Sequence, residues 1–317
     1  MEELLSQAYT GFAFVMELPG SRQATAQQLA PGSSRIYPLH FSTTFADKTQ
    51  VMNPLVSKAN FTADDWGMSP GINAAILEMA MRGLIKRVSI LAGSPFVKHG
   101  LDELLQIPGL QFGLHFNLTL FPPLFEEQQD AFSPFMDTVS FHYKPLWKLN
   151  WIWLSPFHRS ASRAAAFDAF KGQLEKLRTL KVPVSYFDGH QNVHLLPGLL
   201  TLIHPELVKW GIKETTIPSP WTLLPARKFR LAFRAFRARR AARHLGLHTR
   251  PFWRPSLRAL SATRRVQKKI TRSKNGIEIL VHPSVSNDLE GYGIRDRYRK
   301  GRVREYQALS KLLRTHA

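Results

Sequence analysis

The residues able to do chemistry gather at four places, each at the end of an apolar, strand-like run. Asp64 and Asp65 end the run containing Ala59, Phe61 and Ala63, after which Ser69 and Pro70 open a helix as N-cap and first helical residue. Adjacent carboxylates repel, so such a pair suits a place where a cation or a shared proton sits between them. A solvated turn opening on Asp65 is the plain alternative. His115 interrupts the β-prone run from Gln111 to Thr119. Asp188, His190 and His194 follow the run from Val184 to Phe187, and His282 ends the run from Gly276, where Pro283 stops the ladder. Neutral imidazole is the commonest protein metal ligand. If the chain turns helical after Gly189, His190 and His194 fall one turn apart on one face. Each histidine taken alone has a structural explanation, in the core or in a cap. Four strands delivering such groups at or near their C-terminal ends form the pattern of a parallel α/β barrel with its chemistry on one rim.

The elements that must position these groups are legible around them. Ile72, Ala75, Ile76, Met79 and Ala80 repeat at helical spacing, and Gly83 stands where a C-terminal capping glycine belongs. The run from Val88 to Ala92 reads as a buried strand. A helix is expected from about Ser160 to Leu180, with Ala166, Phe167, Phe170, Leu174 and Leu177 on one face, ending before Pro183. Residues 120–160 form a long loop rich in Pro and aromatics, including Phe121, Trp147, Trp151 and Trp153, which either covers a substrate or makes a satellite apolar cluster. Residues 1–55 read as a loosely ordered N-terminal extension, with Glu2 and Glu3 where a secretory signal carries basic residues. The expected architecture is one distorted (β/α) TIM-like barrel over residues 56–317.

Composition narrows the chemistry. With no cysteine among 317 residues, thiolate sites are excluded and any metal must be held by imidazole and carboxylate. No apolar stretch is long enough to span a bilayer, and the expected location is the cytoplasm or the inner-membrane surface. The formal charge of +20 favours polyanionic partners. Much of it lies in a basic helical segment, about residues 222–274, with no Asp or Glu between Glu214 and Glu278. Arg227, Lys228, Arg230, Arg234, Arg237, Arg239, Arg240 and Arg243 crowd one helix, with Phe229, Phe233 and Phe236 on one of its faces. Three readings are open: a packing helix whose Phe stripe is core, a helix lying on an anionic membrane surface, and a phosphate-gripping helix. Nucleic acid is the least favoured partner.

The stretch Ala63-Asp64-Asp65-Trp66-Gly67 with Ser69-Pro70-Gly71, then Gly113-Leu114-His115-Phe116-Asn117-Leu118-Thr119, then Asp188-Gly189-His190-Gln191-Asn192-Val193-His194, then His282-Pro283, resembles the YdjC/ChbG carbohydrate deacetylase family, which includes deacetylases associated with hopanoid biosynthesis. The resemblance implies a distorted (β/α) barrel and a hydrolase that uses a divalent metal, Mg or Zn, to remove acetyl groups from N-acetylglucosamine-type sugars. It makes Asp65, His115 and His190 the metal ligands and Asp64 the catalytic base. Among the remaining groups His282 is the candidate proton donor to the leaving amine, while Asp188, His194, Asn117 and Trp66 are candidates for substrate contact or for supporting the ligands. The chain departs from the family where Asn192 replaces a frequent His, Trp66 a Phe, and only Lys213 stands near the place of a frequent Arg. The competing function is a polyanion- or membrane-surface-binding protein on a catalytically lapsed barrel.

Overall fold

The structure is a computed structural model that describes residues 59–120, 153–155, 157–223, 229–261, 263–272, 277–291, 294, 296 and 298–314. The chain divides into two units, Met1–Lys48 and Thr49–Ala317, and all described residues belong to the second. The expected N-terminal extension and most of the aromatic loop, Phe121, Trp147 and Trp151 included, lie outside them.

Eight parallel strands form a single sheet: β1 (Ala59–Trp66), β2 (Ile85–Ile90), β3 (Gln111–Phe116), β4 (Val184–Gly189), β5 (Glu214–Thr216), β6 (His248–Arg250), β7 (Phe252–Trp253) and β8 (Ile277–Val281). Their order is β6-β5-β4-β3-β2-β1-β8-β7. The two ends of this order are consecutive in the chain, separated by Pro251 alone. His248 to Arg250 pair with β5, and Phe252 and Trp253 pair with β8. One bent stretch therefore joins both sides of a nearly closed barrel, and Pro251, which has no N–H to give a ladder, stands at the handover. The basic segment is thus more than helical, for it supplies the strands that complete the barrel. Its helices are α5 (Pro220–Leu223), α6 (Phe229–His244), α7 (Leu257–Ser261) and α8 (Thr263–Thr271).

The preceding helices are α1 (Pro70–Met81), α2 (Leu101–Leu105), α3 (Arg159–Thr179) and α4 (Leu199–Lys209), and α9 (Arg299–Arg314) ends the described chain. α1 starts as the sequence predicts: Ser69 Oγ accepts from the Ile72 N–H at 3.3 Å and Pro70 occupies the first turn. It ends at Gly83, whose φ of 72° takes the left-handed conformation that closes the helix. Residues on the outer strand face meet helices, as where Phe170 of α3 stacks edge-on against Phe116 and Phe187 at 5.2 and 5.8 Å. Trp153 is buried, its indole N–H donating to the Pro197 carbonyl at 2.8 Å. Among the described residues no helix is long and apolar enough to cross a membrane.

Because side chains alternate along a strand, every second residue enters the barrel. Most of these inner positions are polar, Leu280 being an exception. Near the strand starts Arg87 lies between Glu214, with Nη2 2.5 Å from Oε1, and Glu278, with Nε 3.6 Å from Oε1. Arg250 forks onto Glu214 at 3.0 and 2.9 Å, Thr62 donates to Glu278, and the Arg87 guanidinium sits 3.9 Å above the Tyr186 ring. Gly113 makes room for that ring, since a Cβ there would fall 2.3 Å from it. Two residues further along the same strands begin the groups singled out in the sequence.

Candidate metal centre

Asp65 is the hub. Its backbone takes φ = 71°, rare for a non-glycine residue, and the β1–β2 register shifts between Ala63 and Trp66. Such an irregularity at a strand end re-aims a side chain, and here two successive aspartates both reach the barrel mouth. Asp65 Oδ1 lies 2.8 Å from His190 Nδ1 and 3.1 Å from His115 Nε2. Its Oδ2 accepts from Arg302 Nη2 at 2.6 Å. The carboxyl is held well below the usual range: burial opposes this, but Arg302 and the two imidazoles outweigh it.

His115 is oriented from behind. Its Nδ1 is 2.6 Å from Asp188 Oδ1, and since an ionised carboxylate can only accept, the proton is on Nδ1. Asp188 is fixed by Ser89 Oγ at 2.8 Å and Thr216 Oγ1 at 3.3 Å. The Nε2 lone pair of His115 then points at Asp65 Oδ1, an arrangement of two acceptors that holds only with a cation or a proton between them. Without a metal the proton takes that place: burial disfavours the charged ring, but Asp188 and Asp64 drive it well above the usual histidine value.

Asp64 and His282 face the same space, with Oδ2 3.7 Å from Nε2. Asp64 Oδ1 is buried without a hydrogen-bond partner among the described residues, and its carboxyl is pushed well up by burial and by the charge of Asp188. Burial, and then Arg254, hold His282 well below the usual imidazole value. Its backbone N–H donates to Glu305 at 3.1 Å, which in turn accepts from the Tyr298 hydroxyl at 2.8 Å.

The helical pairing expected of His190 and His194 does not form. Gln191 and Asn192 take φ of 51° and 60°, which breaks the turn and sends the two rings apart. His190 reaches Asp65, whereas His194 Nε2 donates to the Thr216 carbonyl at 2.9 Å. Burial lowers the His194 ring to about 4, so it is neutral. Trp66 is buried and donates to the Val97 carbonyl at 3.0 Å, and Asn117 Oδ1 accepts from the N–H groups of Thr119 and Leu120 at 2.9 and 3.0 Å. Both shape the loops behind the site and neither lines its cavity. Lys213 is exposed before β5 and takes no part.

Sequence reasoning missed Arg302 and Arg254. Arg302 is buried on α9, splits its guanidinium between Asp65 and Asp296 Oδ2 at 2.5 Å, and has no signal in its own neighbourhood of the chain. Arg254 follows β7 and lies 4.9 Å over the Tyr298 ring. Ser89 and Thr216 were findable, since strand alternation puts them on the inner face with Arg87 and Glu214.

The cavity holding these groups has a volume of about 520 Å³, within the range of small-molecule sites. Asp65, His115 and His190 each turn one ligand atom into it, all within 4.8 Å of one another, and Asp64, His115 and Asp188 form a second such group. A carboxylate and two imidazoles that converge on a point needing a cation suit a divalent metal, and a set of three leaves positions for water and substrate.

Fold and site together define a parallel α/β barrel with a candidate metal centre at the C-terminal rim. The family model described as YdjC-like protein matches residues 58–312, and the chain belongs to that family. A carbohydrate deacetylase of Vibrio cholerae is 26% identical over 49% of this chain and 57% of its own length. Carbohydrate deacetylase 1 of Listeria innocua is 28% identical over 49% of this chain and 59% of its own. The chain thus spans under two thirds of the length of these curated relatives. A solved structure from Enterococcus faecalis, described as a candidate cellobiose-phosphate cleavage protein, superposes with a TM-score of 0.58 at 18% identity over 80% of this chain and 91% of its own, a likeness of fold.

Proposed function

We propose that the protein is a metal-dependent hydrolase that removes the N-acetyl group from an N-acetylglucosamine-type sugar, on an oligosaccharide or a glycolipid. The observation that carries this reading is the meeting of Asp64, Asp65, His115, His190 and His282 in one cavity, with three ligand atoms within 4.8 Å. The names of the V. cholerae and L. innocua relatives support the substrate class.

Asp65, His115 and His190 would hold a Mg or Zn ion, which when bound supplies Lewis-acid polarisation of the acetyl carbonyl and acidifies water. The chain's own groups do the proton work. Asp64, with one oxygen unpartnered, accepts a proton from the water as its oxygen bonds to the amide carbon. Asp64 Oδ2 and His282 Nε2 lie 3.7 Å apart, too far for a direct hydrogen bond, so the proton would pass from one to the other through a bridging water before His282 delivers it to the nitrogen as the C–N bond breaks. Acetate and the free amine are the products. Asp188 keeps His115 in one tautomer, and Arg302 keeps Asp65 ionised and turned toward the cavity. The competing reading, a binding protein on a lapsed barrel, is disfavoured by the same cluster, because a barrel without catalysis gains nothing from three buried carboxylates that repel one another.

The test is acetate release, read by mass spectrometry, from chitobiose, peptidoglycan fragments and an acetylglucosaminyl lipid. Protein stripped of metal should be inactive and regain activity with Mg or Zn, while Asp65→Asn and His115→Ala should lose both activity and metal binding. Full activity in stripped protein would sink the reading.

A further inference from the structure

Helix α6 is packed the opposite way from an ordinary amphipathic helix. Its buried residues are Ala232, Ala235, Ala238 and Ala242, whereas Phe229, Phe233 and Phe236 are 62, 61 and 59% exposed. At spacings of four and three residues these rings form one outward stripe. Arg230, Arg237, Arg240 and Arg243 are exposed on the same helix, and among the described residues none of its arginines pairs with a carboxylate. Arg239 donates to the Ile217 carbonyl at 3.2 Å, and Arg237 lies 5.8 Å from the Phe233 ring. The neighbouring α5 adds Trp221, 78% exposed.

We propose that this aromatic and arginine-rich face of α6 docks the protein on an anionic lipid bilayer, the helix lying in the plane of the headgroups. The chemistry matches on both counts: the rings enter the acyl boundary, and uncompensated guanidinium groups, their apolar stems alongside, meet lipid phosphates. Phosphate binding by a nucleic acid would use the arginines but leaves a stripe of three phenylalanines unexplained. Docking is also tied to the cavity, since Leu231 of α6 and Leu223 of α5 line it. The element that touches the membrane thus also forms part of the cavity wall.

The test is co-sedimentation of the full chain with phosphatidylcholine vesicles and with phosphatidylcholine–phosphatidylglycerol vesicles, which does not depend on the chemistry of the site. Binding is expected to the anionic vesicles alone and to weaken with salt. Arg230→Glu with Arg237→Glu should weaken it about tenfold or more, given about 1 kcal/mol for each basic residue at the surface. Phe229→Ser, Phe233→Ser and Phe236→Ser together should abolish it, with the circular dichroism spectrum and melting temperature kept. The proposal falls if anionic vesicles are not bound, or if the Phe variant binds like the parent. It also falls if gel filtration shows a concentration-dependent dimer that the Phe variant loses, because the stripe would then be covered by a second copy.

Discussion

Two layers of buried charge lie within one barrel, and they are balanced differently. In the layer near the strand starts, two guanidinium groups, Arg87 and Arg250, face two carboxylates, Glu214 and Glu278, with Thr62 and the Tyr186 ring completing the surroundings. In the layer at the strand ends, Asp64, Asp65 and Asp188 crowd two imidazoles, and among the described residues the one guanidinium hydrogen-bonded to them, Arg302, is shared with Asp296. The first layer closes its charge with fixed cations of its own. The second leaves two acceptors, Asp65 Oδ1 and His115 Nε2, pointing at each other, a deficit that an exchangeable cation can fill. Burial alone therefore does not mark a functional site; the lack of internal compensation does.

That contrast can be broken from either side. The largest effect is expected for Asp64→Asn, which should cut acetate release by roughly 10²–10⁴-fold, the usual worth of a positioned general base, while calorimetric Zn titration shows retained binding. Its melting temperature should hold or rise, because one of three repelling carboxylates is gone. Arg87→Leu should do the reverse. It leaves Glu214 with Arg250 and Glu278 with Thr62, at a cost of roughly 1–3 kcal/mol in denaturant unfolding, with Zn affinity of the surviving folded protein unchanged. Asp188→Asn should lower metal affinity or turnover by roughly 10–100-fold, since it removes the partner that sets the His115 tautomer.

The smallest effect sharpens the lower layer. Burial works against ionised Glu214, but Arg250 and Arg87 outweigh it and hold its carboxyl below the ordinary value of 4.5. A depressed carboxylate contributes stability that is present above the unfolded value and lost as pH falls through the folded one. Melting curves of Glu214→Gln should thus fall below the parent at neutral pH and converge with it below about pH 4.5. Glu278 shifts the other way because burial dominates there, so Glu278→Gln should gain relative to the parent as pH rises.

Much of the site was legible because its signals are local. Each strand end announced itself where an apolar run met Asp or His, and the Ser69 cap and Gly83 stop are set by backbone needs of the adjacent helix. Resemblance then ranked the two aspartates; in the structure Asp65 lies against both imidazoles and Asp64 faces His282. The pairing of His190 with His194 failed because helical spacing says nothing when two intervening residues turn left-handed.

By itself the sequence determined the strands that end in Asp or His and the donor types at those ends, since these follow from apolar β-prone runs and side-chain chemistry, whereas β6 and β7 lay unread in the basic segment. Only the tertiary structure decided which donors share a cavity, that Arg302 arrives from 237 positions away, and that the barrel closes across Pro251. It alone decided, too, that α6 turns its alanines inward and its phenylalanines out. A periodic stripe defines a face, but what that face meets depends on elements distant in the chain, and their approach is not written in local spacing.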